Sequence, residues 1–197
     1  MAASVTLPAP PADLSSRKLP LVTLRSDLYR IHRSAHNWRY FGKTLSERFD
    51  DPQGLYGMLY GATSAEAAFA EVFLRHLSCM DIAETDLTVR SMSTFGPESL
   101  RCVDLTGPGL RRLSCDNRIA TERPYRTTQQ WSRALHMHPQ RPDGIVYRSR
   151  HNPRFRCVAL FDRCTGKLAG LKTEEMMGPV WRAWVADQLL KYRIAMT

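Results

Sequence analysis

Cysteine is scarce in this chain of 197 residues and poorly placed for cross-linking. Five are present, Cys79, Cys102, Cys115, Cys157 and Cys164, an odd number with no CxxC pair. That argues against a disulfide framework and against a zinc site, and favours small buried thiols in a reducing cytoplasm. Long hydrophobic runs are missing, so no stretch has the length of a membrane span. Neither GxGxxG nor a P-loop occurs, which argues against a Rossmann dehydrogenase or a nucleotide kinase. Internal repeats are absent. Lysine is sparse: of 28 basic residues only five are lysine, and 23 are arginine.

The resulting charge of +9 suggests a nucleic-acid binder at first sight. The bases are scattered, however, without a dense tract or an aromatic-basic RNA motif, so direct nucleic-acid binding is not expected. Arginine also suits bidentate contact with the phosphates of a small anionic ligand. A compositional bias without function is the plain alternative. A hydrophobic content of 43% and a length of 197 residues fit one domain with a real core. The start, Met1 to Pro11, has no basic residue before its apolar stretch and is broken by proline, so it does not read as a signal peptide. Residues 1–20 are expected to form a flexible arm before a folded domain over 21–197.

Periodicity predicts a strand over residues 21–32 and a second over Leu55 to Tyr60, with Tyr56, Met58 and Tyr60 on one face. Thr63-Ser64-Ala65-Glu66 has the form of a capping box with Thr63 as cap, opening a helix to about Ser78 with a Phe69, Phe73, Leu77 stripe. Strands are predicted at Asp86 to Ser91, Arg101 to Leu105, Ile145 to Ser149 and Cys157 to Phe161. Helices are predicted over Thr127 to His138 and from Pro179 onward, with mixed turn and short helix over 107–124. Helices and short strands mix without regular βαβ alternation, which favours α+β. His136-Met137-His138 lacks nearby ligands and reads as a helix end, so no metal site is expected.

Five residues stand out by context. Arg30 lies between Tyr29 and Ile31 in an apolar strand, where an unpaired charge is expensive. It is either an anion anchor or an edge arginine paired with an acid. Arg48 sits in a turn beside Glu47, Asp50 and Asp51, with the same two readings. Tyr60 ends a strand, as a core aromatic or a stacking surface. Glu71 lies on the flank of its helix, with the small Ala67 and Ala68 beside it. Either it pairs with Arg75 at i,i+4 or it faces a ligand. Ser149 closes a strand, as a plain terminal serine or a hydroxyl contact. His32 shares a face with Arg30.

In this order and these contexts, Arg30, Arg48, Tyr60, Glu71 and Ser149 resemble the RES family, named for its arginine, glutamate and serine. The Glu47-Arg48-Phe49-Asp50 turn fits the family pattern loosely. The resemblance spans roughly residues 25 to 165 and implies a single α+β domain similar to ADP-ribosyltransferases, with a split, twisted β-sheet flanked by helices. It implies an enzyme that cleaves the nicotinamide–ribose bond of NAD, as a glycohydrolase or a phosphorylase, with NAD as substrate and no further cofactor. Arg30, Glu71 and Ser149 would then be catalytic, and Arg30, Arg48, Tyr60, Ser149 and His32 would contact NAD. Family members often act as toxins neutralised by a helix-turn-helix (Xre-type) antitoxin, here a separate chain. Self-association is left open, and so are an ADP-ribosyltransferase acting on a macromolecule and a non-catalytic binding module.

Overall fold

The computed structural model describes residues 6–75 and 80–197. Its strands are β1 (Leu21–Leu24), β2 (Leu28–Arg33), β3 (Met58–Ala62), β4 (Asp81–Ile82), β5 (Arg90–Pro97), β6 (Leu100–Leu105), β7 (Gly144–Arg148), β8 (Arg156–Phe161), β9 (Leu168–Glu175) and β10 (Ala195–Met196). The helices are α1 (Ala65–Phe73), α2 (Glu84–Thr88), α3 (Pro108–Arg112), α4 (Arg118–Thr121), α5 (Arg126–His136) and α6 (Arg182–Tyr192). Eight strands form one sheet in the order β1-β6-β7-β8-β3-β2-β5-β9, and β4 and β10 make a small second one. Only β6–β7 within the large sheet is parallel. The α+β expectation holds. No helix among the described residues is long and apolar enough to cross a membrane.

The central strands explain the layering. Ile145, Val146 and Tyr147 of β7, and Cys157 through Phe161 of β8, are all buried, so this part of the sheet is covered on both faces. One cover is a core around Phe49, Trp131 and Leu135, and another contains Leu28, Leu59, Phe95 and Leu160. A third core, beneath α1 and α6, holds Phe69, Phe73, Leu87 and Val185. The predicted Trp131–Leu135 face of α5 is buried, as is the Phe69–Phe73 part of the α1 stripe; Leu77 and Cys79 lie outside the described residues.

Several boundaries differ, each for a physical reason. The strand expected over 21–32 is two, because the chain breaks at Arg25–Asp27 and sends β1 to the sheet edge beside β6 while β2 joins β5. The strand expected from Leu55 starts at Met58, since Gly57 N–H is drawn off to Asp162 Oδ2 at 2.8 Å. Ser64, not Thr63, caps α1, accepting from Ala67 N–H at 3.2 Å. Thr63 is still held by the sheet, with both its N–H and its hydroxyl on the carbonyl of Arg156. The stretch expected as a strand from Asp86 instead begins with α2, whose first turn carries Glu84 and Asp86 next to the partial positive charge of a helix start. The last helix begins at Arg182, beyond Pro179. Periodicity does not mark β9: Leu168 is its one buried residue, and it is held by backbone pairing to β5 with side-chain bonds from Ser93 to Thr173 and from Trp181 to Glu174.

The N-terminal segment from residue 6 lies against the domain and does not stand off it as a flexible arm. Leu7, Leu14 and Leu19 are buried in the core around Trp131, whose indole N–H donates to the Pro8 carbonyl at 2.8 Å. His138 Nε2 reaches the carbonyls of Leu14 and Arg17, both at 3.1 Å. The alternating Leu and Pro residues of this segment masked its packing, because a peptide without regular structure leaves no period.

His136 ends α5, stacked on Tyr56 with ring centroids 3.8 Å apart, and burial pulls its imidazole down to about 4. The unfolded chain therefore takes up this proton first as pH falls. Its contribution to stability is complete above about pH 6.5 and is lost as pH drops towards 4. Allowing for its partial exposure, the loss is about 1 kcal/mol. Urea unfolding of His136→Phe at pH 7 and pH 4.5 is expected to show a smaller drop than the wild type over that interval; an identical drop would contradict this assignment.

Candidate active site

β2 and β3 touch at one register position, Tyr29 opposite Ala62, so the sheet forks there. Gly61 permits the approach: a Cβ on it would lie 3.2 Å from the Tyr29 carbonyl and 3.3 Å from Phe95. A cavity of about 340 Å³ opens at the fork, bounded by β2, β3, α1, the 42–50 loop and residues around 120–125 and 147–151. That volume falls within the range of small-ligand sites, roughly 300–1,000 Å³.

Arg30 faces the cavity from β2, and its guanidinium donates to the Tyr40 carbonyl at 2.9 Å. No carboxylate among the described residues pairs with it, and burial lowers its pKa to about 10. Arg48 is buried in the turn that follows. Its Nη1 donates to the Glu122 carbonyl at 2.9 Å, and its guanidinium lies 4.6 Å from the centre of the Tyr125 ring. Burial depresses this group as well. α5 clamps the turn: Thr128 Oγ1 donates to the Arg48 carbonyl at 2.7 Å, and Ser132 Oγ to that of Phe49 at 2.6 Å. Tyr60 lines the cavity with its ring, while its hydroxyl accepts from Phe49 N–H at 3.0 Å and donates to Asp50 Oδ1 at 2.9 Å. Tyr60 thus fixes the same turn from below.

Glu71 projects from α1 into the cavity and accepts from Ser149 Oγ at 2.6 Å. The i,i+4 pair with Arg75 does not form between side-chain charges. Arg75 Nε donates to the Glu71 carbonyl, and its Nη1 pairs with Glu47 at 3.1 Å. Ser149 is buried at the end of β7, and its oxygen also accepts from the N–H groups of His151 at 3.1 Å and Asn152 at 3.3 Å. Its hydroxyl is therefore spent on Glu71 and does not itself line the cavity. Burial, reinforced by the Glu71 carboxylate, pushes the neighbouring Cys157 thiol far up, so it stays protonated.

The structure brings Arg30, Arg48, Tyr60 and Glu71 around one space, with Ser149 joined to it through Glu71. It does not bring in His32, whose ring is occupied by Ser93 Oγ at 2.8 Å and the Arg33 carbonyl at 2.9 Å. The face shared with Arg30 in a regular strand points His32 into the β5–β9 layer. Residues missed from sequence are Arg123, Tyr125, Tyr147, Arg150 and His151, all lining the cavity. Arg123, Tyr125, Arg150 and His151 lie in or beside turns, where no periodicity marks orientation, whereas Tyr147 sits within β7, where a buried strand aromatic reads as core. Of five lining arginines, only Arg75 has a carboxylate partner among the described residues, whereas Glu47, Asp50 and Glu71 are the lining acids. The lining therefore carries an excess of cationic groups. No group of His, Cys, Asp and Glu suited to holding a metal ion occurs among the described residues.

These features define an α+β protein whose sheet fork sets one oriented carboxylate beside Arg30 and Arg48, two guanidiniums without an acid partner among the described residues. The chain belongs to the RES domain family, whose model matches residues 27–185. It is 39% identical over 71 residues to a probable toxin, y4kH, of Sinorhizobium fredii, a match covering 36% of this chain. The chain spans about half, 55%, of the length of that curated relative. Its fold is similar to a chain of the M. tuberculosis MbcT–MbcA toxin–antitoxin complex, with a TM-score of 0.68 at 17% identity, covering 84% of this chain and 92% of that one.

Tyr60→Phe tests how the Arg48 turn is held. It strips the Phe49 N–H and the Asp50 carboxylate of a shared partner, and an unsatisfied buried group costs about 1–3 kcal/mol. Denaturant unfolding is expected to show a loss in that range; a loss under about 0.5 kcal/mol, the size of an ordinary surface change, would mean that the hydroxyl does not hold the turn.

Proposed function

We propose that this protein degrades NAD by cleaving the bond between nicotinamide and ribose. The observation that carries the proposal is Glu71, fixed by Ser149 at 2.6 Å inside a cavity whose Arg30 and Arg48 lack acid partners. Membership of the RES domain family supports it.

The chemistry matches the side chains. The nicotinamide nitrogen of NAD is cationic, so it leaves as a neutral base and needs no protonation. The C1′–N bond breaks with its electron pair going to nicotinamide, and positive charge develops on the ribose as in other glycosidic cleavages. A fixed carboxylate at that point stabilises the charge with little reorganisation. Arg30 and Arg48, presenting planar donors, would hold the pyrophosphate. The Tyr60 ring would lie against the nicotinamide, since its hydroxyl is already committed to the Arg48 turn. Ser149 would orient Glu71. Water or inorganic phosphate would attack C1′.

A toxin role, with a separate helix-turn-helix antitoxin as partner and the cytoplasm as the place of action, follows as part of the proposal. It is supported by the probable-toxin relative and by the fold shared with a chain of a toxin–antitoxin complex.

Incubating purified protein with labelled NAD is expected to yield free nicotinamide and no labelled protein. Label carried on a macromolecule would favour ADP-ribosyl transfer, and the absence of turnover would reject the proposal. Glu71→Gln keeps the acceptor for Ser149 while removing the charge. It is expected to lower nicotinamide release by roughly two to three orders of magnitude at an unchanged melting temperature. Near-wild-type turnover with a normal melt would remove Glu71 from the chemistry.

A further inference from the structure

One titratable group in the cavity, His151, takes no part in holding NAD or in stabilising the ribosyl charge. His151 lines the same space as Glu71, and its backbone N–H is anchored on the Ser149 oxygen that also holds Glu71. The other described histidines are occupied elsewhere. His32 is bonded to Ser93, His138 ties down the N-terminal segment, His136 stacks on Tyr56 and His36 on Tyr40. The His151 ring, by contrast, makes no hydrogen bond to protein among the described residues, and it is half-buried beside a carboxylate that the Ser149 bond holds in place.

We propose that His151 is the general base that takes the proton from the water attacking the ribosyl carbon. This inference rests on the NAD-cleaving reading of the site. As the C1′–N pair departs with nicotinamide, a water oxygen bonds to C1′ and one water proton passes to an imidazole nitrogen. The imidazolium then returns that proton to solvent, so the sum is NAD and water going to nicotinamide, ADP-ribose and a proton. Glu71 is poorly suited to this task because it must stay anionic to oppose the charge on the ribose, and it already accepts from Ser149.

The surroundings set the protonation state the role requires. Glu71 of α1, Arg75 just beyond the end of that helix, Arg150 beside it in the chain, and Arg123 after α4 all act on the ring. Burial is the largest influence and lowers its pKa from the usual 6.5; Glu71 opposes that, and the three arginines add to it. A neutral, proton-accepting imidazole is thus the resting form at neutral pH. Positioned bases of this kind commonly contribute about 10²–10⁴ in rate.

The test is nicotinamide release by wild type and His151→Asn, in phosphate-free buffer from pH 5 to 8, alongside thermal melts. The wild type is expected to keep its turnover through the ordinary imidazole range and to lose it only at more acid pH, because burial lowers the pKa at which this base is protonated. The variant is expected to fall at least 100-fold in kcat at neutral pH, with KM little changed, a normal melt and no acid limb from this group. Added phosphate, which can attack as an anion without a base, is expected to restore turnover in the variant more than in the wild type. A variant that keeps wild-type kcat and the same acid limb would overturn the role of His151 while leaving NAD cleavage standing. If kcat falls but His151→Gln and His151→Asn keep the wild-type acid limb, the residue serves structure and the inference fails. A wild-type protein inert towards NAD would reject the site reading itself and this inference with it.

Discussion

The bond from Ser149 Oγ to Glu71 Oε1, 2.6 Å long, ties the cavity-facing side of α1 to the end of β7, and the site's shape depends on it. A serine hydroxyl has one proton to give, and here it is given to the carboxylate. Its lone pairs take the N–H groups of His151 and Asn152, which folds the chain back after β7 and sets Arg150 and His151 on the cavity wall. One oxygen thereby orients an acid and shapes the loop opposite it. Gly144 through Tyr147 of β7 and Cys157 through Phe161 of β8 are buried, so the anchor point sits on a packed part of the sheet.

Around that carboxylate the protein tolerates cations that it does not neutralise. Arg30 and Arg48 satisfy part of their donors with the carbonyls of Tyr40 and Glu122, and Arg48 also rests on Tyr125. Burial depresses both. An uncompensated buried charge costs stability, and the stability is recovered when an anion binds the folded state only. The clamp of α5 on the 45–50 turn keeps Arg48 in place: Gln129 reaches the carbonyls of Leu45 and Glu47, and Thr128 and Ser132 reach the next two.

Much of this was legible in the chain where burial is periodic. The α5 face, the central strands and the Phe69–Phe73 stripe follow from spacing alone. Arg30, Arg48, Tyr60, Glu71 and Ser149 were legible as an ordered set by resemblance, since their separate contexts allowed plain structural readings. For Glu71 the structure removes the ion-pair reading, because Arg75 turns its guanidinium to Glu47. Strand geometry misled at His32: the face it shares with Arg30 does not bring its ring to the cavity, because Ser93 Oγ and the Arg33 carbonyl hold it. Arg123, Arg150 and His151 were not legible, because their direction is set by tertiary hydrogen bonds such as those to Ser149. The buried leucines of the N-terminal segment and the exposed β9 were missed for the same reason: neither carries a repeat that local sequence could display.

NAD cleavage at this site requires a dinucleotide bound with its reacting ribose at Glu71 and its phosphates on Arg30 and Arg48. A crystal structure of the Glu71→Gln variant soaked with NAD tests this directly. The pyrophosphate is expected within hydrogen-bonding distance of Arg30 and Arg48, with the nicotinamide ribose beside residue 71 and the nicotinamide ring against Tyr60. NAD bound elsewhere on the domain, or with its adenine end at residue 71, would contradict it.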